Sequence, residues 1–506
     1  MRGGGVGVVA AAAVLVVAVG ICVVDPQHVA AQPLVVNTTT SRLVDSHGRE
    51  RIFHGTNVVF KGPPYVPIID RFDYQYSFSK DDVALLSKWG VNAIRLGVMW
   101  PGVEPEKGKY NQTYLQHLQN ITAMCEEQGI WVLLDMHQDV WSERFCGEGV
   151  PYWAADPGPD AKGFPAPLDK PYNVNSTTGL PSAQDCGKHD WPDYYFASAV
   201  GAAVQRMYDN QDGLLDAFCS FWALVASTFK SYTNILGYEL INEPWAGDVN
   251  KDPDLLVPGQ ADKKNLQNTY DKAAAAIRAV DPDTPIFFET VTWDDVVVGF
   301  SHPPGGADSG HKSVLAYHYY MPPNFGPKET IQLHLDAAKK LNCGTFCSET
   351  DGEVFFETAD PFFQSWMRWE YKAFVPKTGS NFGFWNSNGT VNSDMVFNLT
   401  RTYAPIIAGH GVDMHFSREN STFELAFLLN KTCTAPTVVY AYTALHYPNG
   451  VNITVDPPVL SWAETTTNYY EFKPILRVAK DGQRVTVTFK NGESHANAVH
   501  SDGLGG

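Results

Sequence analysis

Basic residues are in short supply in this chain. Lysine and arginine number 37 against 55 aspartates and glutamates, leaving a formal charge of −18. That deficit argues against a nucleic-acid partner, whose phosphates need clustered cations. Long apolar runs are scarcer still. One spans Val6 to Val24, and no later stretch approaches the length needed to cross a bilayer. Cysteine is also sparse, with eight in 506 residues. Cys22 lies in the apolar run. Cys125, Cys146, Cys186, Cys219, Cys343, Cys347 and Cys433 are an odd number, so complete pairing within the remaining chain is excluded.

What is present points to export. Arg2 precedes the apolar run, and Val29-Ala30-Ala31 supplies small residues before Gln32. This reads as a secretory signal peptide cleaved near Ala31, the alternative being a retained anchor. Asn37, Asn111, Asn120, Asn175, Asn388, Asn398, Asn420, Asn430 and Asn452 each begin an N-x-[ST] sequon without proline between. The expected location is the secretory pathway, either secreted or in a lysosome-like lumen. In that oxidising setting disulfides are expected, with Cys146–Cys186 and Cys343–Cys347 as candidate pairs.

Hydrophobic content is 44% over 506 residues, enough for a large core and more than one ordinary domain. From about residue 40 to 400, short apolar runs alternate with amphipathic stretches, the signature of βα units around a parallel sheet. Ser79 and Asp82 form a capping box ahead of Val83, Leu86 and Trp89, and Gly90 ends that helix. Leu115, Leu118, Ile121 and Cys125 stripe the next helix, which Gly129 terminates. Eight strands are predicted: Ile52–Asn57, Val91–Leu96, Ile130–Leu134, Ile235–Ile241, Ile286–Glu289, Val314–Tyr319, Gly344–Cys347 and Phe382–Trp385. Beyond about Ala408 the texture becomes short strands and glycine turns, at Phe423–Leu429, Thr437–Tyr442, Gly450–Val455, Leu476–Val478 and Arg484–Phe489. The expected fold is therefore α/β: a (β/α)8 TIM barrel with a C-terminal β-sandwich. Its parts are a signal peptide (1–31), the barrel (32–408), the sandwich (409–492) and a flexible tail (493–506).

In a parallel barrel, polar residues at the C-terminal strand ends line the active site. Five ends stand out here: Arg95, the run Asp135-Met136-His137-Gln138-Asp139, the run Asn242-Glu243-Pro244, the run Tyr317-His318-Tyr319-Tyr320, and Ser348-Glu349. Two carboxylates on separate strand ends suit glycoside hydrolysis, with one protonated to release the leaving oxygen and the other ionised to attack the anomeric carbon. Glu243 is assigned as acid/base and Glu349 as nucleophile, with Glu353 and Glu289 as competitors for the second role, although Glu289, ending the strand after that of the acid/base, better suits an electrostatic or structural role. Asn242 is placed to bond a sugar hydroxyl, and Arg95 to keep Glu349 ionised. Arg95 is otherwise a buried ion-pair partner in the barrel floor. His318 is either a support for the carboxylates or a sugar contact. His137 with Asp139 lacks a third ligand at metal spacing, so no metal and no cofactor are expected.

Asn242-Glu243-Pro244, taken in order with Arg95, His137, His318, Glu349 and Trp385, resembles glycoside hydrolase family 5. Phe60-Lys61-Gly62-Pro63-Pro64-Tyr65 and Asp135-Met136-His137-Gln138-Asp139-Val140-Trp141 resemble, more narrowly, the endoglycoceramidases of that family. The resemblance implies retaining cleavage between oligosaccharide and ceramide in a glycosphingolipid, met at a membrane surface or with a detergent-like activator. It also implies that Lys61, His137, Asp139, Asn242, Tyr320 and Trp385 grip the first sugar. Glu349-Thr350-Asp351-Gly352 departs from the aromatic residue that often follows the nucleophile. The long insert from Cys146 to Tyr195 carries Tyr152, Trp153, Phe164, Trp191 and Tyr194, which either form a loop core or line a groove for a lipid tail. The competing readings are a family 5 glycosidase acting on glucosylceramide, steryl glucoside or β-glucan, and an inactive glycan- or lipid-binding protein.

Overall fold

The computed structural model describes residues 33–294, 296–321, 325–374 and 383–492. The expected signal peptide and tail lie outside them. Three short strands come first: β1 (Val35–Asn37), β2 (Arg42–Val44) and β3 (Glu50–Arg51). Eight parallel strands then close a barrel: β4 (His54–Val58), β5 (Ala93–Gly97), β6 (Trp131–Asp135), β7 (Ile235–Glu239), β8 (Ile286–Glu289), β9 (Ser313–Tyr319), β10 (Gly344–Thr350) and β11 (Trp366–Arg368). β11 pairs with β4 to complete the ring. Eight antiparallel strands follow: β12 (Tyr403–Ile407), β13 (Gly409–Ser417), β14 (Thr422–Leu429), β15 (Thr437–Tyr440), β16 (Val451–Asp456), β17 (Leu460–Thr466), β18 (Tyr469–Pro474) and β19 (Arg484–Asn491).

The helices form where the pattern places them. Lys80–Lys88 starts with the Ser79–Asp82 capping box, in which the Ser79 N–H donates to Asp82 at 2.8 Å. Gln112–Glu127 buries Leu115, Leu118, Ile121 and Cys125. Gly90 does more than end its helix. At φ +78° it adopts a left-handed turn, and a Cβ there would come within 2.3 Å of the Tyr440 ring. The sandwich rests on that turn, where the Tyr403 hydroxyl donates to the Gly90 carbonyl at 2.9 Å.

Three expectations are corrected. The eighth barrel strand is Trp366–Arg368, not Phe382–Trp385. Phe382 lies outside the described residues, and among those described Trp385 forms an isolated bridge with Val391. The true strand has three residues and ends on a buried arginine, so it shows no apolar run. Cys343 and Cys347 are free thiols. Four residues along an extended strand span about 13 Å, well beyond disulfide reach. Leu476–Val478 is an exposed turn, whereas β12, β13, β17 and β18 went unpredicted.

The sandwich also reaches back past the expected boundary. Its larger sheet runs β1-β2-β3-β12-β15-β18-β17, through the pairing of Ile406 with Arg51. The smaller sheet runs β13-β14-β19-β16. β1 and β2 cover the base of the barrel, where Leu34, Val36 and Leu43 cluster with Ala93, Leu133, Leu236, Phe287, Ala316, Phe346 and Met367. With that mouth plugged by apolar side chains, the polar chemistry collects at the other end.

Candidate active site

Side chains on a barrel strand alternate between the interior and the helices. Two residues beyond the apolar floor at Ala93, Leu133, Phe287 and Ala316 stand Arg95, Asp135, Glu289 and His318. The apolar floor is thus overlaid by a charged layer, every member of it buried or nearly so. Glu349 reaches this layer by a different device. β10 slips register against β9 between Cys347 and Glu349, so that Glu349 pairs with His318 and Ser348 is the extra residue. This bulge turns Glu349 inward.

The Arg95 guanidinium is fully buried at the centre of the layer. Its Nε donates to Glu239 at 2.5 Å, Nη1 to Asn57 and Glu349 at 3.1 Å each, and Nη2 to Asn242 at 2.8 Å. Asp135 lies 3.2 Å and Glu289 3.6 Å from Nη2. Burial opposes the Arg95 charge, but the surrounding carboxylates outweigh it and hold the group well above its ordinary range. A fork of five donors fixes four partners in one plane-set geometry, which a lysine could not do.

Glu243 follows β7 with φ at 41°, a left-handed turn. Gln138 secures that turn, its amide donating to the Asn242 and Glu243 carbonyls at 2.8 Å each. His318 Nδ1 lies 2.8 Å from Glu243 Oε1 and 3.8 Å from Glu349 Oε1. Oxygens of Glu243 and Glu349 come within 4.8 Å of one another. Oxygens that approach inside that limit fit a retaining pair, whose carboxyl groups stand about 5–5.5 Å apart, better than an inverting pair at about 6.5–9.5 Å. Glu243 is raised to about 7, by burial first and then by the negative charge of Asp139. Glu349 is held differently: the Tyr320 hydroxyl donates to Oε1 and Arg95 to Oε2. One carboxyl is pushed toward its acid form while the other is gripped by donors, the division of roles that two-carboxylate catalysis needs.

A second cluster adjoins this pair. Lys61 binds Asp139, with Glu148 3.2 Å away. His137 Nδ1 is 2.9 Å from Asp135 and Nε2 3.3 Å from Asp139. Burial opposes charging His137, yet the two aspartates prevail and lift it to about 9. Trp369, the residue after β11, stacks on His137 with ring centroids 5.4 Å apart and lies under the Lys61 ammonium at 4.7 Å. Trp385 sits elsewhere, packed on Phe72 at 5.1 Å. The aromatic that joins this cluster is Trp369, and the shifted eighth strand is why Trp385 was favoured. Glu148 was missed as well. It comes from the long insert, where Cys146–Cys186 forms a disulfide and residues Asp139 and Glu148 bridge backbone to backbone.

Sequence reasoning also passed over Glu239, Asn57 and Asp135 as partners of Arg95. The signal for Asp135 and Glu289 was available in the two-residue alternation past the floor. Glu353, a competitor for the second role, heads the helix Glu353–Ala359 and is exposed. Among the described residues two groupings have metal-like proximity, Glu239–Glu289–His318 and Glu243–His318–Glu349. The Arg95 guanidinium pairs with Glu239 and Glu289 of the first and with Glu349 of the second. In the insert, Phe164 and Tyr194 form a loop core at 5.1 Å and Trp153 donates to the Glu104 carbonyl, while Tyr152 and Trp191 are about half exposed.

Residues 54–390 match the family model described as cellulase (glycosyl hydrolase family 5), and residues 401–489 match the glycoside hydrolase family 5 C-terminal domain. The chain belongs to glycoside hydrolase family 5. Within it, the chain is similar to the endoglycoceramidase of Cyanea nozakii, 45% identical over 438 residues, covering 83% of this chain and 87% of that protein. The endoglycoceramidase of Hydra vulgaris is 45% identical over 465 residues, covering 90% and 89%. Among solved structures, endo-glycoceramidase II from Rhodococcus sp. in complex with ganglioside GM3 shares the fold, with a TM-score of 0.69 at 20% identity, covering 89% of this chain and 99% of that one.

Proposed function

We propose that this protein is a retaining endo-β-glycosidase that separates the oligosaccharide from the ceramide of glycosphingolipids. The observation that carries the reading is the approach of Glu243 and Glu349 to within 4.8 Å under opposite electrostatic treatment. The 45% identity to two endoglycoceramidases over most of both chains supports the substrate class. In the first step Glu349 attacks the anomeric carbon while the Glu243 proton passes to the glycosidic oxygen, and ceramide departs. In the second, ionised Glu243 takes a proton from water, which attacks the same carbon and frees Glu349. Lys61, His137, Asp139, Asn242 and Tyr320, with Trp369, hold the first sugar. Arg95 and His318 support the carboxylates.

The segments that follow β6 to β10 expose Trp191, Phe196, Val257, Val296, Met321 and Val354. These side chains support a further part of the reading, that substrate is met at a lipid surface or with a detergent-like activator. Export through the secretory pathway is supported by the Cys146–Cys186 disulfide and by the sequons, none of whose nine asparagines is buried.

Mass spectrometry of a mixed ganglioside and glucosylceramide digest tests the function. The expected products are intact oligosaccharide and free ceramide. Product from glucosylceramide alone would transfer the chain to the simple glucosylceramidase reading. Inertness, with Glu349→Gln indistinguishable from the parent, would reduce it to a binding protein.

A further inference from the structure

His318 presents both ring nitrogens to carboxyl groups: Nδ1 to Glu243 at 2.8 Å and Nε2 to Glu289 Oε2 at 3.5 Å. A neutral imidazole carries one proton. If Glu243 is to hold its own proton toward the leaving oxygen, its other oxygen must accept from His318, so that proton belongs on Nδ1. Nε2 then shows a lone pair to Glu289. An ionised Glu289 would set lone pair against lone pair at a ring nitrogen that is itself shielded from solvent.

The charges around Glu289 bear on this. Across the barrel it faces Arg95 on β5, with Nη2 3.6 Å from Oε1, and Asp135 on β6 and Glu239 on β7 share the same guanidinium. The Glu243 N–H donates to Glu289 Oε2 at 3.4 Å, and Tyr270 on the helix Gln267–Arg278 donates to the Glu289 carbonyl at 2.9 Å. Glu349 on β10 takes Arg95 Nη1 at 3.1 Å. Asp135, Glu239, Glu289 and Glu349 thus share Arg95; His137 is divided between Asp135 and Asp139, and Lys61 is committed to Asp139 and Glu148. Two fully buried cations do not balance four carboxylates, and a surplus buried charge is relieved by taking a proton.

We propose that Glu289 is a positioning residue for the reaction: its carboxyl proton donates to His318 Nε2, fixing the tautomer whose Nδ1–H donates to Glu243. Burial and the negative neighbours, Glu239 first, push Glu289 well above the ordinary carboxylate range, and burial keeps His318 neutral by pulling it down. Without the Glu289 donor the imidazole proton moves to Nε2. The bare Nδ1 then accepts the Glu243 proton and turns it away from the leaving oxygen. The proposal rests on Glu243 being the acid/base.

The test compares kcat/KM for two β-lactosides, one with an alkyl alcohol and one with 2,4-dinitrophenol as leaving group. The phenolate needs no acid to depart. Glu289→Ala is expected to slow the alkyl lactoside by about 10- to 100-fold and the dinitrophenyl lactoside by less than about threefold. Glu289→Gln, whose amide keeps a donor toward Nε2, should recover most of the alkyl rate. It should also leave the alkaline limb of the alkyl pH profile in place, because one neutral group replaces another. Equal slowing of both lactosides by Glu289→Ala would overturn the proposal. So would Glu289→Gln as slow as Glu289→Ala, or an alkaline limb displaced to lower pH by about a unit or more, the mark of a lost negative charge. If Glu289→Ala does not fold, the Glu289→Gln profile decides alone. Glu243→Ala measured alongside separates the two levels. Should it slow both lactosides alike, the acid/base assignment itself fails; should it discriminate while Glu289→Ala does not, only the role of Glu289 fails.

Discussion

Arg95 and Glu349 form an ion pair of 3.1 Å inside the barrel, on side chains that are 0% and 9% exposed. The same guanidinium also bonds Asn242, the neighbour of Glu243, at 2.8 Å. One buried cation therefore ties the two halves of the site together. Replacing it should damage fold and chemistry at once. Arg95→Ala strands several carboxylates without a partner, and its loss of stability should be about 3–5 kcal/mol. Arg95→Lys keeps the charge but not the fork, so it should stay folded while kcat/KM falls by about 100-fold or more. Thermal unfolding beside kinetics separates the two variants.

The acid/base should set the upper edge of the pH profile. Glu243 must be protonated to act as acid, it is protonated below its pKa, and that value lies near 7. On glycosides with poor leaving groups, kcat/KM should therefore fall tenfold for each unit above about pH 7. An activated aryl glycoside should lack that limb. A profile flat to pH 9 on the poor leaving group would contradict the assignment.

Trp369 and Trp385 separate the structural reading from the sequence pattern. Trp369 contacts both His137 and Lys61, whereas Trp385 packs on Phe72. Trp369→Ala should cost about 10- to 100-fold in kcat/KM through lost sugar stacking. Trp385→Ala should lower thermal stability and spare more of the activity. Steady-state kinetics of the two variants, with melting curves, provide the check.

The insert should behave as a clamp. Cys146–Cys186 closes a loop of 40 residues by sequence separation. Gly147 allows the clamp to dock, since a Cβ there would lie 2.0 Å from the Asp139 carbonyl. Constraining a loop of that size contributes about 3–4 kcal/mol in the chain-entropy account. The double variant Cys146→Ser, Cys186→Ser should melt at lower temperature. It should also raise KM more than it lowers kcat, because Glu148 no longer bears on Lys61.

Much of this was legible in the sequence because barrel chemistry follows a rule of two. Arg95, Asp135, Glu289 and His318 sit two residues past an apolar floor, Glu349 is brought in by a bulge, and Asn242-Glu243-Pro244 marks its own strand end. Seven of the predicted barrel strands overlap the observed ones because each is a short apolar run between amphipathic stretches. The failures have physical causes too. β11 has three residues and pairs on both sides, so its order comes from neighbours rather than from its own composition. Glu148 enters the site from an insert whose path is set by a disulfide, and no periodicity announces such a contact. Strands β1 to β3 join the distant sandwich through long-range pairing with β12, which a local pattern does not encode.

The account stands most directly on Glu349 as the atom donor to the sugar. Inactivation with a 2-deoxy-2-fluoro-β-lactosyl fluoride, followed by peptide mass spectrometry, tests it, because the fluorine slows hydrolysis of the covalent intermediate that a retaining mechanism requires. The expected result is stoichiometric loss of activity with the label on Glu349. A label on Glu289 or Glu353, or inactivation with no covalent adduct, would contradict it.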